Sequence, residues 1–326
     1  MNDSEPNPLR DQLNSLPREI PPTRDLWPGI EARLNRPAAQ TTVSPFRRWR
    51  MPLAVAAAVM LAATVQWLRP TFSPSPSWAV DALAGAPQVG RHNVTGSSRI
   101  AVGEWLETDG TSRAKVTVGA IGEVSVEPNS RLRLVNASAT DHRLELSRGK
   151  MSALIYAPPR LFFVETPSAT AVDLGCAYNL TVDEHGAGTL EVTSGYVALE
   201  HGGRESIIRA GSMCHTRPGA GPGTPFAASA ALEFRQALDR FDAGDSTALA
   251  AVTAAAGEGD AVTLWHLLAR APAAARGAVF DKLNAFHPAP AGVTREGVLA
   301  GDEAMRQRWA PHLGLFTYGL STGKKK

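Results

Sequence analysis

The longest stretch of this chain without a formal charge is Met51–Leu68, MPLAVAAAVMLAATVQWL. As a helix rising about 1.5 Å per residue it would reach roughly 27 Å, close to the roughly 30 Å hydrocarbon core of a bilayer. Three of the four residues before it are arginine, whereas the twenty residues after it hold only Arg69. Because positive charge favours the cytoplasmic side, this stretch predicts a single transmembrane helix, with residues 1–50 cytoplasmic and residues 69–326 exported.

Two other interpretations of residues 51–68 stay open. A cleaved signal peptide would carry its charges near the first residue, but here a long polar segment precedes the apolar run. A buried Ala-rich core helix would have one apolar stripe, but here apolar residues lie all the way round. The run also exceeds the roughly 10 to 14 residues usual for a core segment.

Within the cytoplasmic segment 1–50, the sequence RDLWPGIEARLNR from Arg24 predicts a short amphipathic helix. Its apolar face would consist of Leu26, Trp27, Ile30 and Leu34. An isolated helix of about ten residues is marginal in water, so this face requires a partner. That partner is a protein ligand in one interpretation, and the membrane surface or a second copy of the chain in the other.

The same stretch fits the pattern D-L-W-P-x-I-x-x-R-[LI]. It resembles a segment in the cytoplasmic part of some membrane-bound anti-sigma-factor-like proteins, which implies a sigma factor as the partner. The zinc-binding His and paired cysteines of many anti-sigma domains are missing, because residues 1–50 contain neither His nor Cys.

Residues 69–98 are rich in Pro, Ser, Gly and Ala, which predicts an extended linker. Residues 99–216 consist of short runs of alternating apolar and polar residues, separated by turn residues such as Gly149. Leu132 and Leu134, for example, alternate with arginines, which predicts a strand with one buried face and one solvent-exposed face. This texture predicts an all-β domain of the sandwich, roll or β-helix kind.

The strands and turns of this region follow one another in the order LETDGTSRAKVTVG, EVSVEPNSRLRLV, LELSRGKMSALI, FFVETPSATAVDLGCAYNLTV, TLEVTSGYVALE and IIRAGSM. This order resembles the FecR family domain. The most specific part is Thr166-Pro167 followed by LGCAYNLTV; the departures are GAIGE at Gly119–Glu123 and Cys176 where Thr is usual. The resemblance implies a β-roll or β-helix-like fold and an exported sensor whose N-terminal segment controls a transcription partner, usually a sigma factor.

Residues 217–227 contain the Gly-rich run GAGPGTP, which predicts a second linker. From residue 228 to 326 the apolar period changes to about 3.6, which predicts an all-α domain of antiparallel helices. The predicted fold class is therefore mixed and multi-domain: one transmembrane helix, an all-β FecR-like domain and a C-terminal all-α domain.

No G-x-S-x-G, Walker A, H-E-x-x-H or G-x-G-x-x-G motif occurs, so neither an enzyme nor a cofactor site is predicted. Cys176, Cys214, His201 and His215 could gather around a metal, but their spacing matches no zinc pattern. For the two cysteines, a disulfide on the exported side is one prediction and two separate buried thiols the other. The net charge of +2, without a large basic block, argues against direct nucleic-acid binding.

Together these features predict a single-pass protein of a bacterial inner membrane that acts in signal transduction as an anti-sigma or sigma-regulatory factor. Its predicted partners are the membrane, a sigma factor in the cytoplasm and an unknown exported or outer-membrane partner. The alternative is an exported cell-envelope binding or scaffold protein that has no sigma partner.

Overall fold

The computed structural model describes residues 76–315 and, before them, only Glu31, which is helical and exposed. The predicted membrane segment, Met51–Leu68, lies outside the described residues. Within the described part of the chain no helix is both long and apolar enough to cross a bilayer. Residues 76–315 belong to one compact unit.

Eighteen strands and six α-helices follow one another along this unit. The strands are β1 Ser77–Ala84, β2 Gln88–Val89, β3 His92–Asn93, β4 Ser97–Ala101, β5 Trp105–Glu107, β6 Arg113–Val118, β7 Gly122–Val126, β8 Arg131–Ser138, β9 Asp141–Ile155, β10 Phe162–Glu165, β11 Thr170–Asp173, β12 Ala177–Val182, β13 Gly188–Ser194, β14 Tyr196–His201, β15 Arg204–Arg209, β16 Ser212–Arg217, β17 Gly221–Pro222 and β18 Phe226–Ala227. The helices are α1 Leu232–Asp242, α2 Ala248–Ala255, α3 Ala261–Arg270, α4 Ala273–Phe286, α5 Arg295–Leu299 and α6 Glu303–Trp309.

The strands form two sheets that are joined by β9. The first sheet has the order β4-β1-β6-β7-β9-β12-β13-β16, with β17 and β18 both paired to β16. The second has the order β3-β2-β5-β8-β9-β10-β11-β14-β15. Every pair is antiparallel except β9 with β10.

Strand β9 crosses from one sheet to the other at its middle. Asp141–Arg148 pairs with β8, while Gly149–Ile155 pairs with β7 and β12. Gly149 has a φ of +95°, and a Cβ there would lie 2.2 Å from the Ser130 hydroxyl oxygen. Only glycine fits this conformation and this close approach, so the turn predicted at this residue is a corner inside one long strand.

The two sheets face each other across a common core, because inward-facing apolar residues alternate with outward polar ones. On β8, for example, Leu132 and Leu134 are fully buried, as are Leu144 and Leu146 on β9. The predicted β-rich region followed by a helical region is confirmed.

Both predicted linkers contain ordered structure. Strand β1 lies in the proline- and serine-rich segment 69–98, where Trp78 and Val80 are buried and β1 pairs with β4 and β6. In segment 217–227, residues 221–226 are all buried around β17 and β18. Composition favoured a linker in both places, but burial of a few well-placed apolar residues decides the conformation.

The helices share a second core with the sheets. Phe234 of α1, Leu264 of α3 and Trp309 of α6 pack in one cluster with Ile207 of β15 and Phe226 of β18. The helical segment is therefore docked onto the last strands of the β region.

Candidate functional site: a polar cleft between the sheet edge and the helices

Helix α3 covers the free edge of β15, the last strand of the second sheet. All residues from Ala261 to Leu268 are buried, so the polar side chains of this helix need partners within the protein. The His266 Nε2 atom lies 3.2 Å from the Ile207 carbonyl oxygen, and the Arg270 Nη2 atom donates to the Glu205 carbonyl oxygen at 3.3 Å. Two carbonyls that an edge strand would otherwise expose are thus satisfied by side chains.

His266 acts as a neutral donor in this contact. Burial lowers the pKa of His266 well below its ordinary value, and nearby Arg270 and Arg306 lower it further. Because a carbonyl only accepts, the Nε2 atom must carry the proton.

Arg270 is the centre of a buried polar network that ties the helices to the sheet. It donates from Nη1 to the Thr224 hydroxyl at 2.7 Å and from Nη2 to the Ser206 hydroxyl at 2.7 Å. Asp242 lies 3.9 Å from the Nη1 atom, and these two charged side chains are only 10% and 7% exposed. Asp242 also accepts from the Thr224 backbone N–H at 2.6 Å and from its hydroxyl at 2.8 Å. Burial lowers the pKa of Arg270, while the neighbouring Asp242 raises it.

Next to this network a cleft of about 650 Å³ opens between the β14–β15 turn, α3 and α6. The side chains that give it its chemistry come from three elements: Arg204 and Glu205 from β15, Trp265 and Arg270 from α3, and Arg306 and Gln307 from α6. The lining is therefore mostly polar, and it carries charges of both signs.

Arg306 is held in a fixed orientation at the wall of the cleft. Its guanidinium lies over the Trp265 ring at 3.9 Å, and the Trp265 indole N–H donates to the Arg306 carbonyl at 2.8 Å. Glu303 accepts from the Arg306 Nε atom at 2.8 Å and also from Nη2. The side chain is only 13% exposed, and its Nη1 atom has no hydrogen-bond partner within residues 76–315. A guanidinium has five N–H donors, so this one keeps donors free.

Glu205 supplies the opposite charge. Burial raises the pKa of Glu205, the neighbouring Glu200 raises it further, and Arg160 and Arg306 oppose the rise. Among the ion pairs formed by the described residues, none includes the Glu205 carboxylate. Close by, the Gln307 Oε1 atom is buried and has no hydrogen-bond partner in the described part of the chain.

A larger groove of about 890 Å³ lies at the corner of β9. Four acidic residues line this groove. One of them, Asp109, is engaged locally, because one oxygen accepts from the Thr111 N–H at 2.8 Å and the Ser112 N–H at 2.8 Å. These contacts hold the pKa of Asp109 down to about 2. The cleft beside α3 differs from this groove in that a lining residue, Gln307, has a buried polar atom without a partner in the described part of the chain.

The tail residues predicted to bind a partner, Leu26, Trp27, Ile30 and Leu34, lie outside the described residues, so their role stays a prediction. His201 and His215 do not form a metal site with the cysteines: within the described residues there is no group of three or more His, Cys, Asp and Glu that could hold a metal ion.

The two cysteines are buried free thiols, so the predicted disulfide is not formed. In the sheet, Cys214 of β16 pairs with Leu190 of β13, and Leu190 pairs with Leu180 of β12. Cys176 lies just before the start of β12, four residues ahead of Leu180. The two cysteines are thus two strands apart and about four residues out of register, well beyond the roughly 7 Å between Cα atoms that a disulfide tolerates. Instead the Cys176 thiol donates to Asp173, and the Cys214 thiol donates to the Gly223 carbonyl at 3.2 Å.

Sequence reasoning missed Glu205, Arg270 and Arg306. One signal was present: the sequence AVTLWHLLAR is apolar almost all round but contains a histidine and ends in an arginine. Such a helix must be buried, and buried polar side chains require partners elsewhere.

The β region matches a known family. Residues 104–198 match the family model described as FecR protein. Over this segment the chain is similar to FecR proteins. The match begins beside β5 and ends within β14, so the resemblance predicted from the sequence is confirmed. Strand β15 and the helices follow the matched segment, so the cleft lies beside the C-terminal end of that segment.

Two crystal structures of a candidate anti-sigma factor from Parabacteroides distasonis, at 1.65 and 2.50 Å resolution, are similar to this chain at 14% and 15% identity. Each has a TM-score of 0.31 and covers 34% of this chain and 53% of that chain. The chain thus spans about half the length of that protein. No curated protein matches.

Proposed function

We propose that this protein regulates a sigma factor, with the FecR domain as the sensor and the N-terminal tail as the segment that binds the sigma factor. The observation that carries the proposal is the FecR match over residues 104–198. The tail pattern at Asp25–Leu34 supports it independently, because it resembles the cytoplasmic segment of anti-sigma-factor-like proteins. The FecR family is regulatory rather than enzymatic, which agrees with the lack of catalytic motifs.

The predicted tail helix is suited to cover one surface of a partner rather than to enclose it. With Trp27, Ile30 and Leu34 on one face it would bury about 300 to 500 Å² of apolar surface, or roughly 8 to 12 kcal/mol gross. Ordering the segment and losing translational freedom consume much of this gain, so we expect micromolar affinity for the helix alone. Attachment to a membrane would hold tail and partner in place and raise their effective concentration.

The test is transcription from the promoters of the sigma factor that a bait of residues 1–50 captures. We expect the double change Trp27→Ala, Leu34→Ala to alter transcription as much as deletion of residues 1–45. Glu31→Ala is the matched control, because Glu31 is exposed and helical and its removal leaves the apolar face intact. If the double variant and the deletion both leave transcription unchanged, the regulatory proposal is wrong and the exported binding or scaffold protein takes its place.

The topology is tested separately with alkaline phosphatase fusions. The structure indicates where to attach the reporter: Pro225 lies within the buried segment 221–226, so the exported fusion belongs after Lys326. We expect the fusion at Lys326 to be active and the fusion at Ala39 to be inactive, because the arginines before Met51 favour a cytoplasmic N-terminus. The reverse pattern would contradict both the membrane orientation and the export of the FecR domain.

A further inference from the structure

We propose that the cleft between β15, α3 and α6 is a binding site for a short peptide with a free ammonium group and a free carboxylate. This inference does not depend on whether the tail binds a sigma factor. It rests on side chains of opposite charge that line one cavity and that keep donors or acceptors free within the described residues.

The carboxylate end of the ligand is assigned to Arg306 and Arg204. The Arg306 guanidinium is already oriented by the Trp265 ring and by Glu303, yet its Nη1 donors remain free. A planar guanidinium that is fixed before binding loses little entropy when it receives a carboxylate, and it can donate two parallel hydrogen bonds. Arg204 adds a second positive charge from the β15 wall of the same cavity.

The ammonium end is assigned to Glu205. The Glu205 carboxylate stands in a half-buried position without a cationic partner at ion-pair distance in the described chain. An ammonium group carries a positive charge and three N–H donors, so it can pair with this carboxylate. Such a pair would offset the desolvation cost that now falls on Glu205.

The dimensions of the cleft fit this class of ligand. Its volume of about 650 Å³ lies within the range of roughly 300 to 1,000 Å³ for small-molecule sites. At the mouth, the β14–β15 turn consists of Gly202 and Gly203, whose φ angles of +55° and +81° favour glycine. No side chain of this turn projects over the opening, and a Cβ at either position would meet nothing within 4 Å.

Other ligand classes fit the lining less well. A purely anionic ligand would place its charge beside Glu205, and a purely cationic one would place its charge beside Arg204 and Arg306. An apolar ligand would leave all these charges desolvated without partners. A zwitterion meets each charge with its opposite.

The test is isothermal titration calorimetry of the full chain in detergent with alanyl-alanine and alanyl-alanyl-alanine as probes. We expect a dissociation constant below about 1 mM for at least one of them. N-acetylation or C-amidation of that peptide should each weaken binding at least tenfold, because each removes one of the two charges.

The discriminating variant is Glu205→Gln, which keeps the shape of the side chain and removes its charge. It should weaken binding of the free peptide about tenfold and abolish the difference between the free and the N-acetylated peptide. Glu145→Gln is the matched control, because Glu145 lies on the same sheet, is paired with Arg133 and is remote from the cleft lining. It should bind like the unchanged protein, and thermal unfolding verifies that both variants are folded.

Three results would overturn the proposal: no binding of either probe at millimolar concentration, equal binding of free and blocked peptides, or a folded Glu205→Gln variant that binds as the unchanged protein does. Since the readout is binding, none of these results depends on transcription. A failure here is therefore distinct from a failure of the sigma-regulatory proposal.

Discussion

Asp173 is a buried acid whose charge should oppose folding at neutral pH. It is 1% exposed at the end of β11, where one carboxylate oxygen accepts from the Gly175 N–H at 2.7 Å and the other from the Cys176 thiol. Burial raises the pKa of Asp173 to about 6, although the hydrogen bonds from Cys176 and Gly175 lower it. The ordinary pKa is 3.8, so Asp173 loses its proton at a pH about two units higher in the folded state than in the unfolded state.

The magnitude follows from this difference. At about 1.4 kcal/mol for each pH unit, the protonated acid contributes on the order of 3 kcal/mol to stability below pH about 3.8, and this contribution is lost as pH rises through about 6. Asp173→Asn has no charge to bury, and its amide oxygen can still accept from Gly175. We therefore expect the variant to be more stable than the unchanged protein by about 1 to 3 kcal/mol at pH 8, with the gain vanishing towards pH 4.

The assay is thermal unfolding of the full chain at pH 4, 6 and 8. For a unit of this size the expected gain at pH 8 corresponds to a rise in Tm of roughly 3 to 10 °C. Asp109→Asn is the control with the opposite sign, because turn hydrogen bonds lower the pKa of Asp109 to about 2. Its loss should destabilise the protein at neutral pH, and the loss should fade as pH falls through about 2. If Asp173→Asn destabilises the protein equally at every pH, the carboxylate is a required hydrogen-bonding group and the reasoning is wrong.

Three further predictions follow from buried groups. In urea unfolding, Arg270→Met should cost about 3 to 5 kcal/mol by leaving Asp242 buried without a counter-charge, and the added change Asp242→Leu should recover part of that loss. Gly149→Ala should lower Tm more than the matched change Gly211→Ala. Both glycines have positive φ, but only a Cβ at residue 149 would clash with a neighbour, Ser130, so equal losses of Tm would contradict the close approach of Ser130 to Gly149. Both cysteines should resist iodoacetamide in the native protein and react in urea without a reductant, since they are buried free thiols, and mass spectrometry distinguishes this from a disulfide.

The β region could be predicted from the sequence where alternation was regular. Leu132 and Leu134 revealed β8, because a strand with one buried face imposes a period of two on its side chains. Alternation did not reveal that β9 is a single strand of 15 residues, since Gly149 resembles a turn between two short strands. Whether a glycine ends a strand or bends it depends on the neighbouring strands, and Ser130 approaches it from 19 residues earlier in the chain.

The candidate site could not be predicted, because its parts are distant in sequence. Glu205 lies on a strand, and Arg270 and Arg306 lie on two different helices. No local period relates them, and only the docking of α3 on the edge of β15 brings them together. The sequence does indicate that a polar residue in a buried helix needs a partner, but not which one it will be.

The docking of the helices also determines what a ligand in the cleft would act on. Strand β14 belongs to the FecR match in its first residues and pairs with β15 along its whole length, while β15 and α3 are joined through Arg270 and His266. A ligand that binds only the folded state stabilises it by about 2.7 kcal/mol at a hundred times its dissociation constant. In the cleft that stabilisation applies to the contact between the sheet edge and the helices, because Glu205 is on one side and Arg306 on the other. Occupancy of the cleft would therefore strengthen the attachment of the helical segment to β15, the edge strand of the second sheet.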